Sequence, residues 1–233
     1  MADGGATGAQ DQVGIIGGTG PQGKGLALRL ALAGVPVWVG SRQRERGEEI
    51  AASLNAQLEA RGGAHRPIQG ADNATMVGNC PMVLLTVPFE NAADTLRGLL
   101  PHMRPDAVLV DVTVPLAFGK GDVQVVVPPE GSGARHLRAI LPEGMALCGA
   151  GKTLPAHVLE DLDIAMNCDT FVCGDSKEAK ERLMATLARI PGLRPLDVGG
   201  LSAAATLEGM TALLIRLNRR MKSREGRFQV TGL

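Results

Sequence analysis

From Val13 onward, short apolar runs alternate with stretches of helical periodicity, and this alternation predicts a series of βα units. Val13-Gly14-Ile15-Ile16 carries no polar side chain and reads as a buried first strand. Leu26, Leu30 and Ala33 then recur at helical spacing until Gly34 ends the helix. Val35 to Val39 supplies a second strand, and Arg44 to Ala60 a polar-faced helix with Ile50, Leu54 and Leu58 on its buried side. Pro81 to Val87 reads as a central strand stopped by Pro88, followed by a helix from Ala92 to Leu100. Ala107 to Val112 and Gly144 to Gly149 complete the strands of this half. Because these strands are continuously apolar, the pattern predicts a parallel sheet covered on both faces, an α/β doubly wound architecture.

Phe118 to Gly133, with Pro128-Pro129 and several glycines, reads as a loop. After Leu154 the texture changes to a strand at Thr170 to Cys173, a helix from Lys177 to Ile190, a strand at Leu196 to Val198 and a long apolar helix from about Ser202. The expected organisation is a leader over 1–12 without periodicity, a main domain over 13–155, and a smaller, mainly helical C-terminal domain over 156–233.

Composition narrows the function classes. The 233 residues are 45% hydrophobic and 21% charged, as in soluble globular proteins, with a formal net charge of +0. A neutral chain has no global field for nucleic acid or an anionic membrane, and 2% aromatic residues cannot build a base-stacking surface. Cys80, Cys148, Cys168 and Cys173 form no C-x-x-C pair and read as buried reduced thiols. The four histidines lack metal-ligand spacing, so no metal site is expected. With no apolar run long enough to span a bilayer, and a leader without a basic, apolar-cored start, a cytoplasmic protein is expected.

Gly18-Thr19-Gly20-Pro21-Gln22-Gly23 matches G-x-G-x-x-G directly after a strand and at the start of a helix, the context that a dinucleotide-binding Rossmann turn requires. The glycines serve a tight turn, close approach of backbone to pyrophosphate, and close packing of helix on strand; the helix N-terminus offers unpaired N–H groups to the phosphates. Sites for NAD usually place an acidic residue about twenty residues further on, to hold the ribose 2′-hydroxyl. Here the second strand ends in Val39-Gly40-Ser41-Arg42, with Arg44 and Arg46 close behind. A hydroxyl and a guanidinium suit a 2′-phosphate through charge-assisted hydrogen bonds, so NADP is the expected dinucleotide.

The chain resembles the NADPH-dependent reductases of the deazaflavin coenzyme F420. The resemblance is carried by Gly17-Gly18-Thr19-Gly20, Gly23-Lys24-Gly25-Leu26, Gly40-Ser41-Arg42 and Leu85-Thr86-Val87-Pro88-Phe89. It continues in Thr153-Leu154-Pro155-Ala156, Val172-Cys173-Gly174-Asp175 and Gly192-Leu193-Arg194-Pro195-Leu196-Asp197. It implies hydride transfer between NADP(H) and coenzyme F420 in a homodimer. It also implies that Thr19, Gly20, Pro21 and Gln22 hold the pyrophosphate, that Ser41, Arg42 and Arg46 hold the 2′-phosphate, and that Val87, Val114 and Ala156 line the nicotinamide side, with Gly226 by the deazaflavin. Some family members have His where Lys152 stands here, and lack the C-terminal basic run.

A deazaflavin accepts hydride at carbon, so the protein need only press two rings together in a dry site, and no catalytic side chain is required. Lys152 is a candidate electrostatic helper, or else a solvated loop lysine. Arg216, Arg219, Arg220, Lys222, Arg224 and Arg227 either attract the anionic tail of the coenzyme or are cations favoured at a helix C-terminus. Leu207, Met210, Leu213, Leu214 and Leu217 form an apolar face suited to a core or a dimer interface. Two alternatives stay open: an NADP-dependent reductase of a small carbonyl or imine, and a non-catalytic NADPH-binding module.

Overall fold

A computed structural model describes residues 12–119 and 122–233; the leader expected over 1–12 lies, but for Gln12, outside the described residues. In chain order the elements are β1 (Val13–Ile16), α1 (Pro21–Leu32), β2 (Val37–Ser41), α2 (Arg44–Arg61), β3 (Ile68–Asp72), α3 (Asn73–Asn79), β4 (Met82–Leu85) and α4 (Phe89–Leu99). There follow β5 (Val108–Asp111), β6 (Leu116–Phe118), β7 (Val123–Val125), α5 (Gly133–Arg138), β8 (Ala146–Gly149), α6 (Ala156–Glu160), β9 (Cys168–Gly174), α7 (Lys177–Leu187), β10 (Leu193–Asp197) and α8 (Ala204–Arg220).

Eight strands form one sheet in the order β10-β9-β8-β5-β4-β1-β2-β3. The run β3-β2-β1-β4-β5-β8 is parallel throughout and follows the Rossmann order. β9 joins β8 antiparallel, through Cys148 opposite Gly174 and Gly149 opposite Cys173, and β10 runs parallel to β9. The strands after residue 155 thus lengthen the main sheet, and α8 lies against it. The mostly parallel sheet and the helical C-terminal part match the expected fold class.

Successive strand residues feed opposite faces. Val13, Ile15, Leu84, Val108 and Val110 pack with Leu26 and Leu30 of α1, Ile50, Leu54 and Leu58 of α2, and Leu183 and Leu187 of α7. Ile16, Val83, Leu85 and Leu109 pack with Met76 of α3, Leu96 of α4, Leu137 of α5 and Leu207 of α8. These two apolar layers are what continuous hydrophobic strands require.

Arg29 of α1 is buried, and its guanidinium donates to the carbonyls of Leu159, Val158, Asp161 and Ile164. Four carbonyls at and beyond the end of α6 are satisfied by one side chain, which holds the residues after Ala156 against α1. The segment read as a loop over Phe118 to Gly133 begins with the second strand pair: β6 and β7 form an antiparallel hairpin. β3, α3, α5 and α6 are further elements that the hydrophobic pattern does not announce.

Candidate functional site

The carboxyl ends of β1, β4, β5 and β8 open onto one cavity of about 440 Å³. Gly20, Pro21 and Gln22 line it from the turn after β1, Thr86 to Phe89 from β4, Val112 to Val114 and Leu116 from β5, and Lys152 to Ala156 from β8. Thr211, Leu214, Ile215 and Asn218 of α8 close the remaining side. Ligands of open α/β sheets bind at this end, where strand order reverses beside the first strand.

The glycine turn departs in one detail from the reading of its motif. The left-handed residue is Gly17, at φ +83°, one position before the G-x-G-x-x-G run. A Cβ on Gly18 would come within 2.8 Å of Val39, and one on Gly23 within 2.7 Å of the Gly17 carbonyl and 2.8 Å of Thr86. Both are therefore fixed by packing inside the protein. Gly20 differs: a Cβ there would meet nothing nearer than the Gly17 carbonyl at 3.6 Å, an ordinary contact. Its backbone, at φ −84° and ψ 163°, is open to any residue. Nothing internal demands glycine at position 20, so its bareness fits a group that approaches from outside.

Gly20 is also the N-cap of α1. It makes no side-chain cap bond, Pro21 follows at the first helical position, and the first turn holds no acidic residue. The orphan N–H groups and the positive end of the helix dipole are left for an anion such as a pyrophosphate. Gln22 contributes a further link, its side-chain amide donating to the Gly151 carbonyl at 3.3 Å, which couples the start of α1 to the loop after β8.

Ser41 ends β2, while Arg42 and Arg46 stand exposed beyond it; none of the three lines the cavity. Arg46 pairs with Glu49 at 3.0 Å and Arg44 with Glu48 at 2.7 Å, both within α2. Among the described residues Arg42 forms no ion pair, whereas Arg44 and Arg46 hold solvent-exposed contacts with Glu48 and Glu49. Asp72 lies opposite Ser41 in the β2–β3 register, a carboxylate that a single-chain motif does not reveal. Its oxygens accept from the Thr75 amide and hydroxyl, at 2.8 and 2.7 Å, and these bonds hold its carboxyl below the usual range.

Val87, Val114 and Ala156 come together with Gly20, Pro21 and Gln22 on the cavity wall, although they are far apart in sequence. Gly226 is not in the lining; its amide donates to Asn218 Oδ1 at 3.0 Å, and Asn218 is.

Lys152 is not a solvated loop lysine. Its side chain is 1% exposed, and Nζ donates to Asp111 Oδ2 and to the Thr113 carbonyl, both at 2.6 Å. Glu208 Oε1 of α8 lies 3.7 Å from the same nitrogen. Glu208 also accepts from the Gly133 and Ala134 amides, Asp111 accepts from the Thr113 amide and hydroxyl, and Thr211 donates to the Lys152 carbonyl at 3.0 Å. Burial pushes the Glu208 carboxyl up, against the opposing pull of Lys152 and the two amides. The charges flanking Lys152 were visible only as acidic residues inside apolar runs, Val108-Leu109-Val110-Asp111 and Leu207-Glu208.

Three of the six basic residues of the C-terminal run make structural contacts. Arg216 pairs with Asp122 at 2.8 Å, the Arg219 guanidinium lies 5.5 Å from the Phe118 ring centre, and Arg227 donates to the Ala165 and Met166 carbonyls. The four cysteines are free and buried; burial pushes the Cys80 and Cys148 thiols up to about 12, which makes them inert.

Residues 12–115 match the family described as NADP oxidoreductase, coenzyme F420-dependent. Over 224 residues the chain is 35% identical to the F420-dependent NADP reductase of Methanocaldococcus jannaschii, an alignment that takes in 95% of this chain and 99% of that protein. The chain belongs to the family of F420-dependent NADP reductases. The enzyme of that name from Methanothermobacter thermautotrophicus is also 35% identical, over 95% of both chains. Among solved structures, a protein from Arthrobacter sp. FB24 described as a putative F420-dependent NADP-reductase superposes with a TM-score of 0.77. It is 21% identical, over 94% of this chain and 98% of that one. The pyrroline carboxylate reductase of Plasmodium falciparum, solved with NADP bound, shares the fold at a TM-score of 0.56 and 12% identity, over 91% of this chain and 68% of that one. Family membership extends through the C-terminal part, because the sequence matches run almost the full length and not merely over the glycine turn.

Proposed function

We propose that this chain transfers a hydride between NADP(H) and the deazaflavin coenzyme F420. The observation that carries the proposal is the cavity in which the uncapped start of α1 meets an apolar chamber at the carboxyl ends of four strands. Family membership supplies the two reactants.

In this reading the α1 N-terminus and Gly20 bind the pyrophosphate through Thr19, Pro21, Gln22 and the Gly18–Gly23 turn. Ser41 and Arg42 bind the 2′-phosphate, and Arg46, whose contact with Glu49 is exposed to solvent, joins them. Val87, Val114 and Ala156 press against the nicotinamide, and Leu116, Leu214 and Ile215 exclude water from the acceptor side. When bound, the nicotinamide and the deazaflavin supply the hydride chemistry between them, so the protein's task is to hold two rings in register. Gly226 acts on the acceptor side through Asn218. The part over 13–155 carries NADP, and the part over 156–233 carries acceptor binding and dimer contacts. We assign the working form as a homodimer in the cytoplasm, supported by the exposed apolar surface of α8 and the hairpin, and by the lack, among the described residues, of a helix long and apolar enough to cross a membrane.

Reduction of a small carbonyl or imine is less well supported, because it calls for a proton donor beside the nicotinamide. The evident candidate, Lys152, has its ammonium committed to Asp111 and the Thr113 carbonyl. Substituting Lys152 also removes the partner of two buried carboxylates, so loss of activity there does not separate the two chemistries.

The test is anaerobic mixing of the purified protein with NADPH and oxidised coenzyme F420. Bleaching of the deazaflavin's visible absorption, with one NADPH consumed per coenzyme reduced, is expected. Tight NADPH binding without bleaching would leave a nucleotide-binding module and overturn the assignment.

A further inference from the structure

We propose that Asn218 recognises the hydride acceptor by donating from its side-chain amide to a carbonyl oxygen on the edge of the deazaflavin ring, and that Gly226 sets which way round that amide stands. The inference rests on the function proposed above, in which the acceptor ring lies against α8.

The residues of α8 that line the cavity, Thr211, Leu214, Ile215 and Asn218, are spaced as one helical face. Leu214 and Ile215 offer only hydrocarbon. The single hydroxyl hydrogen of Thr211 is used inside the protein, with the Lys152 and Leu207 carbonyls as its acceptors at 3.0 and 3.1 Å. Across the cavity, the Thr86 hydroxyl donates to the Ile16 carbonyl at 2.8 Å, the Thr113 hydroxyl to Asp111 Oδ1 at 2.7 Å, and the Lys152 ammonium to Asp111 and the Thr113 carbonyl. On the α8 side, Asn218 is the residue with polar hydrogens left for a ligand.

The end of that amide left over follows from one bond. The Gly226 N–H donates to Asn218 Oδ1 at 3.0 Å; it cannot donate to an NH2 group, so the carbonyl end faces Gly226. Nδ2 donates to nothing among the described residues. It is nevertheless not one of the sealed polar side-chain atoms without a partner, which are Trp38 Nε1 and Asn73 Oδ1. Nδ2 therefore reaches open space, in a side chain that lines the cavity.

The backbone that imposes this orientation is itself anchored. Beyond Gly226, Arg227 donates to the Met166 carbonyl at 3.0 Å, the Asp169 amide to the Phe228 carbonyl at 2.9 Å, and the Val230 amide to Asp169 Oδ2 at 2.6 Å. Arg194 holds both Asp169 oxygens. A Cβ on Gly226 would run into Asn218 Oδ1, so glycine is needed there for the amide it orients and not for a left-handed backbone. A fixed donor in an aliphatic wall discriminates between ligands, because a ring without the matching oxygen leaves it unpaired.

The test is the dissociation constant of oxidised coenzyme F420, read by quenching of its fluorescence on the whole protein with NADP+ bound, beside that of NADPH. Asn218→Asp keeps an oxygen for the Gly226 amide and loses the donor. Asn218→Leu loses both without adding charge, and Gly226→Ala keeps Asn218 but displaces its amide. All three should weaken the coenzyme about tenfold, the scale of a hydrogen bond lost with its partner left unpaired, and leave NADPH unchanged. The deazaflavin ring stripped of its anionic tail should show the same losses. Thermal transitions check folding, and the variants at the two positions stand in for one another. Full affinity in Asn218→Asp would mean that Asn218 only ties the C-terminal segment to α8; a loss in Asn218→Asp alone would mean charge repulsion. Either result overturns the proposal, as do losses confined to the tailed coenzyme or a parallel loss of NADPH. The comparison needs no turnover: unaltered protein that binds the coenzyme without bleaching it overturns the function above, and protein that binds no coenzyme overturns both.

Discussion

At the scale of single residues, the proposed preference for NADP rests most on Arg42. Arg44 and Arg46 have carboxylate partners one turn along α2, whereas Arg42 has none among the described residues. A charge-assisted hydrogen bond to a phosphate contributes about 1.5–3 kcal/mol, or roughly ten- to hundredfold in affinity. Arg42→Ala should therefore weaken NADPH by that factor and leave NADH binding nearly untouched, as fluorescence titration with each nucleotide would show. Equal losses would mean that Arg42 does not reach the 2′-phosphate. Asp72, across from Ser41 in register, is held in its ionised form by the Thr75 amide and hydroxyl, so its charge works against an anion at this corner and the cation of Arg42 has to outweigh it.

At the scale of elements, α1 offers a separation of binding from folding. The other two glycines of the motif are held by neighbours under 3 Å from a would-be Cβ, while Gly20 is not. Gly20→Ala should keep the melting temperature within the range of a surface substitution, about 0.5 kcal/mol, yet weaken NADPH at least about tenfold by crowding the phosphate. Loss of stability with binding intact would show that position 20 serves the fold alone. The elements legible in the sequence were those whose burial is continuous or helically periodic, such as β1, β4, β5, α2 and α8. The ones that escaped lack that signal. In β3, Ile68-Gln69-Gly70-Ala71-Asp72 offers two buried apolar side chains, and β6 ends in Ala117 and Phe118, which face solvent. The turn of the dinucleotide site was readable because local chemistry defines it. The Asp111–Lys152–Glu208 cluster was not, because only the fold brings Lys152 to Asp111 across 41 positions.

At the scale of the whole molecule, the apolar face read along α8 divides in two. Leu207 and Leu214 are buried, whereas Leu213 and Leu217 remain 56% and 48% exposed, next to exposed Met221. Phe118, Val126 and Val127 of the hairpin region are exposed as well, and Arg219 of α8 reaches over Phe118. In the proposed homodimer, two copies related by a two-fold axis would bury these exposed apolar side chains symmetrically. Sedimentation should give a dimer for the unaltered protein and a monomer for Leu213→Glu with Leu217→Glu; a variant that stays dimeric would move the interface elsewhere.

The antiparallel joint between β8 and β9 has a consequence for the cavity. It turns the carboxyl ends of β9 and β10 away from the cavity, so beyond Ala156 the chain lines the cavity through one helical face, Thr211, Leu214, Ile215 and Asn218. On the proposed function, substitutions on that face would alter the acceptor side of the cavity while leaving the strands and the glycine turn of the nucleotide side in place.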